Sequence, residues 1–311
     1  MKFRILTYLV VVVCLAGVHV EMETGTGMRQ FWALQEGGVS PLILGANFRA
    51  LLRQVGLHLD WNDDFGVRVV ADFGAVFGVE SPAVPPPAYV FSNENEVTAF
   101  QQRVPAKEGV LANRQVALQQ LAFEQLLAAR AEAVKEGLTI SPASDDSARR
   151  SYAMTVTLWE SRVKPAIEHW VEAKRLSEAD GQRLLKLEPA QQVNEVLRLE
   201  KGGMYFSTLF DKSILYSVAA PGTSQHLSLL ALDVREHAIP EVRRILAQHG
   251  WYQTVYSDLP HFTFLGRAES ELPALGLVQR HNAGRVFWVP DTIKTRGAPP
   301  GEPDVTETCP F

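Results

Sequence analysis

The sequence predicts an α+β fold, with a helical N-terminal half packed on a small, mainly antiparallel sheet. The stretch from Val110 to Gly137 is rich in Ala, Leu, Gln and Glu, with apolar residues recurring three and four apart, and further helical stretches continue to near Gly203. Beyond Gly203 come the short β-type runs "KSILYSVAA", "LSLLALDV", "YQTVYSD", "HFTFLG" and "RVFWVP", interrupted by one helical stretch, "IPEVRRILAQHG". Helices first and strands after, with no internal repeat, is the pattern of an α+β domain.

Taken in order, the chain opens on Lys2 and Arg4 before the apolar run "ILTYLVVVVCLAGV", so residues 1–20 read as a secretory signal or an uncleaved membrane anchor. Export follows from either. Residues 21–88 form an N-terminal extension in which the alternating "GVRVVADFGAVFGV" predicts one or two strands. Pro85 to Pro87 force an extended lead-in, flanked by Tyr89 and Phe91 as material worth burying. Asn93 followed by Glu96 is a capping box that opens a helix. A long amphipathic helix is expected from Val110 to Gly137, where glycine supplies the stop, followed by a short strand and turn in "LTISPAS". Another helix is expected from about Asp145 to Arg175, kinked or divided at Pro165, and two more lie around "SEADGQRLLKL" and "PAQQVNEVLRLEKG". The main domain spans 89–290, and the Pro/Gly-rich residues 291–311 form a tail.

At 311 residues, with 46% hydrophobic and 21% charged residues, the chain can bury a full core. Its net charge of -5 and scattered Lys and Arg exclude a nucleic-acid footprint. Cys14 lies in the apolar run and Cys309 near the end, so a cleaved chain has one thiol and no internal disulfide. Trp159, Trp170, Trp251 and Trp288 read as core rather than as a glycan groove.

The strand-rich part also carries the chemistry-bearing residues. His226 and Asp233 stand seven positions apart, an odd separation that puts them on opposite faces of a straight strand. On a helix they would share a face but lie about 10 Å apart along the axis, too far for one metal ion with ligands at about 2 Å. Only a bend between them brings both to one point. His261 enters an apolar strand after a proline, with Asp258 three residues before it. His237 and His249 flank the helix "IPEVRRILAQHG", where capping or interaction with the helix dipole accounts for them.

"SQHLSLLALD" resembles the SxHxxGxAxD signature of the zinc D-alanyl-D-alanine carboxypeptidases, the family that includes vancomycin-resistance carboxypeptidases and is similar in fold to the Hedgehog signalling domain. The match covers Ser224, His226, Ala231 and Asp233, and the family's ExxH motif falls on "DLPH". The resemblance implies a sheet that carries a Zn2+ site, with His226, Asp233 and His261 as ligands and Asp258 as general base. It further implies Arg149 or Arg150, together with Ser224, as substrate-binding residues, and Ser144 as the serine of a looser upstream match. Two neutral imidazoles and one carboxylate leave a coordination position free for water, as in catalytic sites.

The substrate so implied is a peptidoglycan peptide stem ending in D-Ala-D-Ala, its carboxylate met by an arginine. An endopeptidase or dipeptidase on the same scaffold, a non-catalytic zinc-containing wall-binding module and a metal-free secreted protein are the alternatives. Two departures bear on them. Leu229 stands where the signature has glycine, so the bend is expected to use ordinary angles or to shift towards Ser228. Asp258 stands where the motif has Glu, one methylene longer.

Overall fold

The structure, a computed structural model, describes residues 42–293. The expected signal or anchor, and the tail beyond residue 293, lie outside the described residues. A short strand β1 (Ile43–Leu44) leads into α1 (Ala46–Gln54) and α2 (Asp64–Phe73), which a 3-10 turn, Gly74–Gly78, extends. The expected strands of "GVRVVADFGAVFGV" are therefore helix. The Asp63 carboxylate caps α2 by accepting from the N–H of Phe65, and Val67, Val69 and Val70 are all buried. The valine pattern reflects burial around much of the helix rather than one face of a pleat.

The proline lead-in carries Tyr89 to the main core and Phe91 into a smaller cluster with Val97 and Phe100. Helix α3 (Glu94–Arg103) opens on the expected cap: the Asn93 side chain accepts from the N–H of Glu96 at 3.1 Å, and Glu96 reaches back to the N–H of Ser92 at 2.8 Å. The long helix expected from Val110 begins later. Its first part is a hairpin, β2 (Ala106–Leu111) and β3 (Arg114–Gln119), joined by Ala112 and Asn113 at φ 49° and 62°. Helix α4 (Gln120–Lys135) follows, and Gly137 ends it at φ 71° as expected.

Helix α5 (Tyr152–Glu172) starts at the cap Ser151 rather than near Asp145, because the Ser151 hydroxyl accepts from the N–H of Met154 at 3.1 Å. Pro165 lies within α5 without dividing it. Helices α6 (Glu178–Leu185) and α7 (Pro189–Lys201) match the expected pair. "KSILYSVAA", expected as a strand, holds a 3-10 turn at Ile214–Tyr216.

Then come β4 (Ala231–Asp233), α8 (Pro240–Gln248), β5 (Trp251–Tyr252) and β6 (His261–Phe264), with β6 central in an antiparallel sheet of order β4-β6-β5. A hairpin, β7 (Leu277–Asn282) and β8 (Arg285–Pro290), follows, and β9 (Thr292–Ile293) pairs with β1.

The main core joins Leu44, Phe48 and Val70 to Leu232, Phe262 and Trp288, so residues before 88 pack with the sheet. A further cluster, built on Trp159, Val163, Trp170, Val196 and Phe206, holds α5 to α7 and the loops after them. Trp159, Trp170, Trp251 and Trp288 are all buried in these two clusters, as core residues.

Candidate metal centre and its cleft

The bend between His226 and Asp233 is made by a 3-10 turn, Gln225–Ser228, by Leu229, and by entry into β4. Leu229 itself adopts φ 59°, ψ 28°, the left-handed conformation the signature glycine would favour. The expectation of ordinary angles or a shift to Ser228 is thereby corrected. Its side chain is only 2% exposed and packs in the cluster of Phe91, Phe100 and Leu227, so the left-handed turn also seats an apolar anchor. Backbone carbonyls of the turn are pinned from outside. Gln101 donates to Leu227 O at 3.1 Å, Gln119 donates to Ser228 O at 2.9 Å, and the Gln119 N–H donates to Leu229 O at 3.0 Å.

Two pairings complete the site. Antiparallel register sets Asp233 directly opposite His261 on β6, so both side chains leave the same face. On the other edge of β4, the Asp233 N–H donates to Ser147 O, and the Ala143 N–H donates to Asp233 O, both at 2.9 Å. That contact brings the carbonyl of Ala148 to His226 and the guanidinium of Arg150 to Asp233.

The result is a triangle. His226 Nε2 lies 3.1 Å from His261 Nδ1, and each lies 3.3 Å from Asp233 Oδ1. The outer nitrogens identify the tautomers: His226 Nδ1 is 3.1 Å from the carbonyl of Ala148, and His261 Nε2 is 2.7 Å from the side-chain oxygen of Gln225. Each can only donate there, which leaves the inner nitrogens as bare lone pairs. Gln225 is held in that orientation because its amide donates to Phe73 O at 2.7 Å, while Thr263 donates to its oxygen.

Two lone pairs and a carboxylate oxygen converging in a buried site repel one another unless a cation joins them. Tetrahedral ligands about 2.0–2.1 Å from a Zn2+ ion stand about 3.3–3.4 Å apart, and the three observed separations fit that spacing. Burial lowers His226 to about 4, so it is neutral and able to ligate at neutral pH. For Asp233, burial opposes ionisation, but the charge and hydrogen bonds that His226 and His261 offer once protonated outweigh it and hold the carboxyl well below its ordinary range. The other oxygen of Asp233 receives a charge-assisted hydrogen bond from Arg150 at 2.7 Å, which orients Oδ1 towards the imidazoles.

The triangle faces a cleft of about 250 Å3. Asp258, Arg150 and Ser224 line it beside His226 and His261, and Leu158, Arg162, Leu215 and Val218 line it from the helical part. Burial pushes the Asp258 carboxyl up, with the neighbouring charge of Asp233 adding to it and His261 and Arg150 opposing. Arg149 is elsewhere: it donates to Gln101 and Glu108 on the exposed surface and does not line the cleft. Ser144 hydrogen-bonds within its own turn, to Asp146 and Ser147. His249 is held between Gln125 and Glu132 at 3.1 and 3.0 Å, and His237 sits beside Arg243 and Arg285, both apart from the triangle. Sequence reasoning missed Gln225. It is adjacent to His226 in sequence, but its role depends on β6.

No protein-family model matches the chain, and no curated protein does. Solved structures give low-level likenesses. One is a vancomycin-resistance VanY D,D-pentapeptidase mutant from a VanB-type cassette with Zn(II), at 17% identity over 53% of this chain and 82% of that one, TM-score 0.30. Another is VanYB in complex with D-alanine-D-alanine, at 17% over 53% and 80%, TM-score 0.31. A third is the LdcB LD-carboxypeptidase, at 14% over 61% and 81%, TM-score 0.33. Such values transfer no chemistry to this chain. What its own fold and donors define is an α+β protein whose His226, Asp233 and His261 fit a zinc ion at the wall of a cleft.

Proposed function

We propose that this chain is an exported zinc-dependent peptidase acting on the peptide stems of peptidoglycan, with D-alanyl-D-alanine carboxypeptidase as its activity. The observation that carries the reading is the convergence of His226 Nε2, His261 Nδ1 and Asp233 Oδ1 at 3.1–3.3 Å, open to a cleft that Asp258 also lines. A purely structural zinc site closes all four positions with protein ligands, whereas three donors facing a cleft leave room for a reactant. The signature resemblance around His226 and Asp233 supports the choice of an amide substrate.

When bound, zinc supplies a Lewis acid for the amide carbonyl and makes water acidic enough to react near neutral pH. The chain's residues do the rest. Asp258 takes a proton from the attacking water and passes it to the leaving amine. It stands in the tight turn immediately before β6, where its carbonyl accepts from the N–H of His261 at 3.3 Å, and it lines the same cleft as both imidazoles. Arg150 locks Asp233, and Ser224, on the cleft wall, offers a hydroxyl to the substrate backbone.

The test is zinc stoichiometry together with D-alanine release from a pentapeptide ending in D-Ala-D-Ala. Wild type is expected to bind one zinc and release D-alanine, and His261→Ala to lose both. Asp258→Asn is expected to keep zinc and slow release by about 100-fold or more. Absence of zinc in wild type sinks the metal site. Zinc without release from this or related stem peptides, unchanged by Asp258→Asn, sinks the peptidase in favour of a zinc-containing binding module.

A further inference from the structure

We infer that His237, Arg243 and Arg285 form a binding site for a phosphate-type oxyanion, outside the metal cleft and independent of the peptidase reading. Three segments bring them together. His237 lies in the loop between β4 and α8, Arg243 on α8, and Arg285 at the start of β8. Arg243 Nη1 donates to the carbonyls of His237 and Ala238 at 3.0 and 2.9 Å, which fixes its guanidinium against the loop. Arg285 pairs with Asn282 across the β7–β8 turn, and Asn282 donates to the carbonyl of Tyr256 at 2.9 Å. The hairpin end is thereby held against the segment that leads to Leu259, whose carbonyl faces the His237 ring.

Nothing within the chain answers this charge. Among the described residues no carboxylate lies within ion-pair distance of His237, Arg243 or Arg285, whereas Arg244, next along α8, reaches Glu136 at 2.6 Å. Arg285 makes no hydrogen bond to the described residues, and its Nε is shut off from solvent. Nδ1 of His237 is likewise shut off and without a partner. The groups also oppose one another. Burial, then the charges of Arg285 and Arg243, lower His237, and burial with Arg285 lowers Arg243, with Glu241 opposing. Holding two guanidiniums and an imidazole together in this way costs stability, and an anion between them offsets that cost.

The arrangement selects the anion. A carboxylate is planar, and one guanidinium satisfies it through two parallel hydrogen bonds. Donors from three separate segments approach from different directions, which suits the tetrahedral oxygens of a phosphate or sulfate group. Arg243 is oriented before the ligand arrives, and Nδ1 of His237 becomes a donor once the ring takes up a proton. Binding is therefore coupled to that proton. Arg285, Arg243 and the Leu259 carbonyl are the groups that face the ring, and Glu241 acts on Arg243. An anion offsets the two guanidiniums, keeps the ring protonated to higher pH, and so binds more tightly as pH falls. A free phosphate ion and a phosphodiester carried by a larger molecule present the same oxygens.

The experiment titrates sulfate, whose charge stays constant near neutral pH, into wild type, Arg285→Gln, Arg285→Lys, His237→Gln and His261→Ala, with binding read by calorimetry. Wild type is expected to bind one sulfate per chain, several-fold more tightly at about pH 5.5 than at about pH 8. Arg285→Gln breaks no hydrogen bond within the described residues, so its denaturation midpoint should stay unchanged while binding weakens by about 10-fold or more. Arg285→Lys should recover part of the affinity, and His237→Gln should remove the pH dependence. His261→Ala, which lacks a metal ligand, should bind sulfate as wild type does. Inorganic phosphate and diethyl phosphate then separate the sources. Comparable binding of both assigns the site to a phosphodiester on a larger molecule, and binding of inorganic phosphate alone assigns it to the free ion. No saturable binding in wild type, binding unchanged in Arg285→Gln, or binding lost in His261→Ala overturns the site. None of these readouts depends on hydrolysis, so failure of the peptidase reading leaves the site standing.

Discussion

Leu229 carries two opposing energies. A left-handed conformation costs a residue with a Cβ about 1–2 kcal/mol, whereas removing a buried leucine side chain costs about 2–5 kcal/mol. Burial wins, which is why this chain holds leucine at φ 59° where glycine would be unstrained. The balance has a measurable consequence in chemical denaturation. Leu229→Gly is expected to lose about 2 kcal/mol and Leu229→Ala about 3 kcal/mol, since alanine loses the packing and keeps the strain. Glycine ranking above alanine would be the mark of a positive φ; the reverse order would mean that the bend lies elsewhere. At the same scale, Gln225 shows how a polar side chain acquires meaning from its contacts. Its oxygen accepts from His261 only because Phe73 and Thr263 fix which way the amide faces.

At the scale of elements, the hairpin β2–β3 separates local propensity from tertiary preference. "VLANRQVALQQ" is rich in helix formers, yet Val116 and Leu118 enter the main core from a strand, and Gln119 at its end holds the turn that carries His226. Ala112 and Asn113 make the two-residue connection at positive φ without the Asn-Gly pair that announces such turns. Replacing them by that pair, Ala112→Asn with Asn113→Gly, tests the geometry directly. In the hairpin it relieves strain and is expected to add about 1 kcal/mol of stability, read as a higher denaturation midpoint. In a continuous helix the same change would subtract about 1 kcal/mol or more through the glycine. Capping reads more reliably than propensity here. Asn93 with Glu96, Ser151 and Ser177 each accept the N–H that a helix start leaves unpaired.

For the molecule as a whole, the metal centre lies where the sheet, the segment of residues 141–150 and the helical part meet, so its ionisation is tied to global stability. His226 is neutral in the folded protein down to about pH 4, while an unfolded histidine takes up a proton near 6.5. As pH falls through that interval the unfolded state binds the proton and the folded state does not. Stability present above 6.5 is therefore lost on the way to 4, by about 3 kcal/mol. Asp233, depressed instead, adds its own loss only below the ordinary carboxyl range. Denaturation of chelator-treated protein at pH 7 and pH 4.5 should show this fall, and His226→Gln should flatten most of it. Equal pH dependence in the variant would assign the effect to other groups. Zinc should raise stability at pH 7 and lose its hold on acidification, because protons compete for the same lone pairs.

Some of this was written in local sequence. Helix caps, the stop at Gly137, and the candidacy of His226, Asp233 and His261 depend on residue type and spacing within a few positions, where short-range sterics and hydrogen bonding act. What only the tertiary structure decided depends on contacts between distant segments. The valine-rich α2 is a helix because the core surrounds it, and the stretch after Val110 is a hairpin because its apolar face packs across the sheet region. Leu229 bends the chain because Phe91 and Phe100 reward its burial. Arg149 and Arg150 are neighbours in sequence, yet the pairing of residues 143–147 with β4 sends one to the surface and the other to Asp233. Sequence by itself determined which atoms were available to hold a metal; long-range packing, which no local pattern encodes, decided that their lone pairs meet.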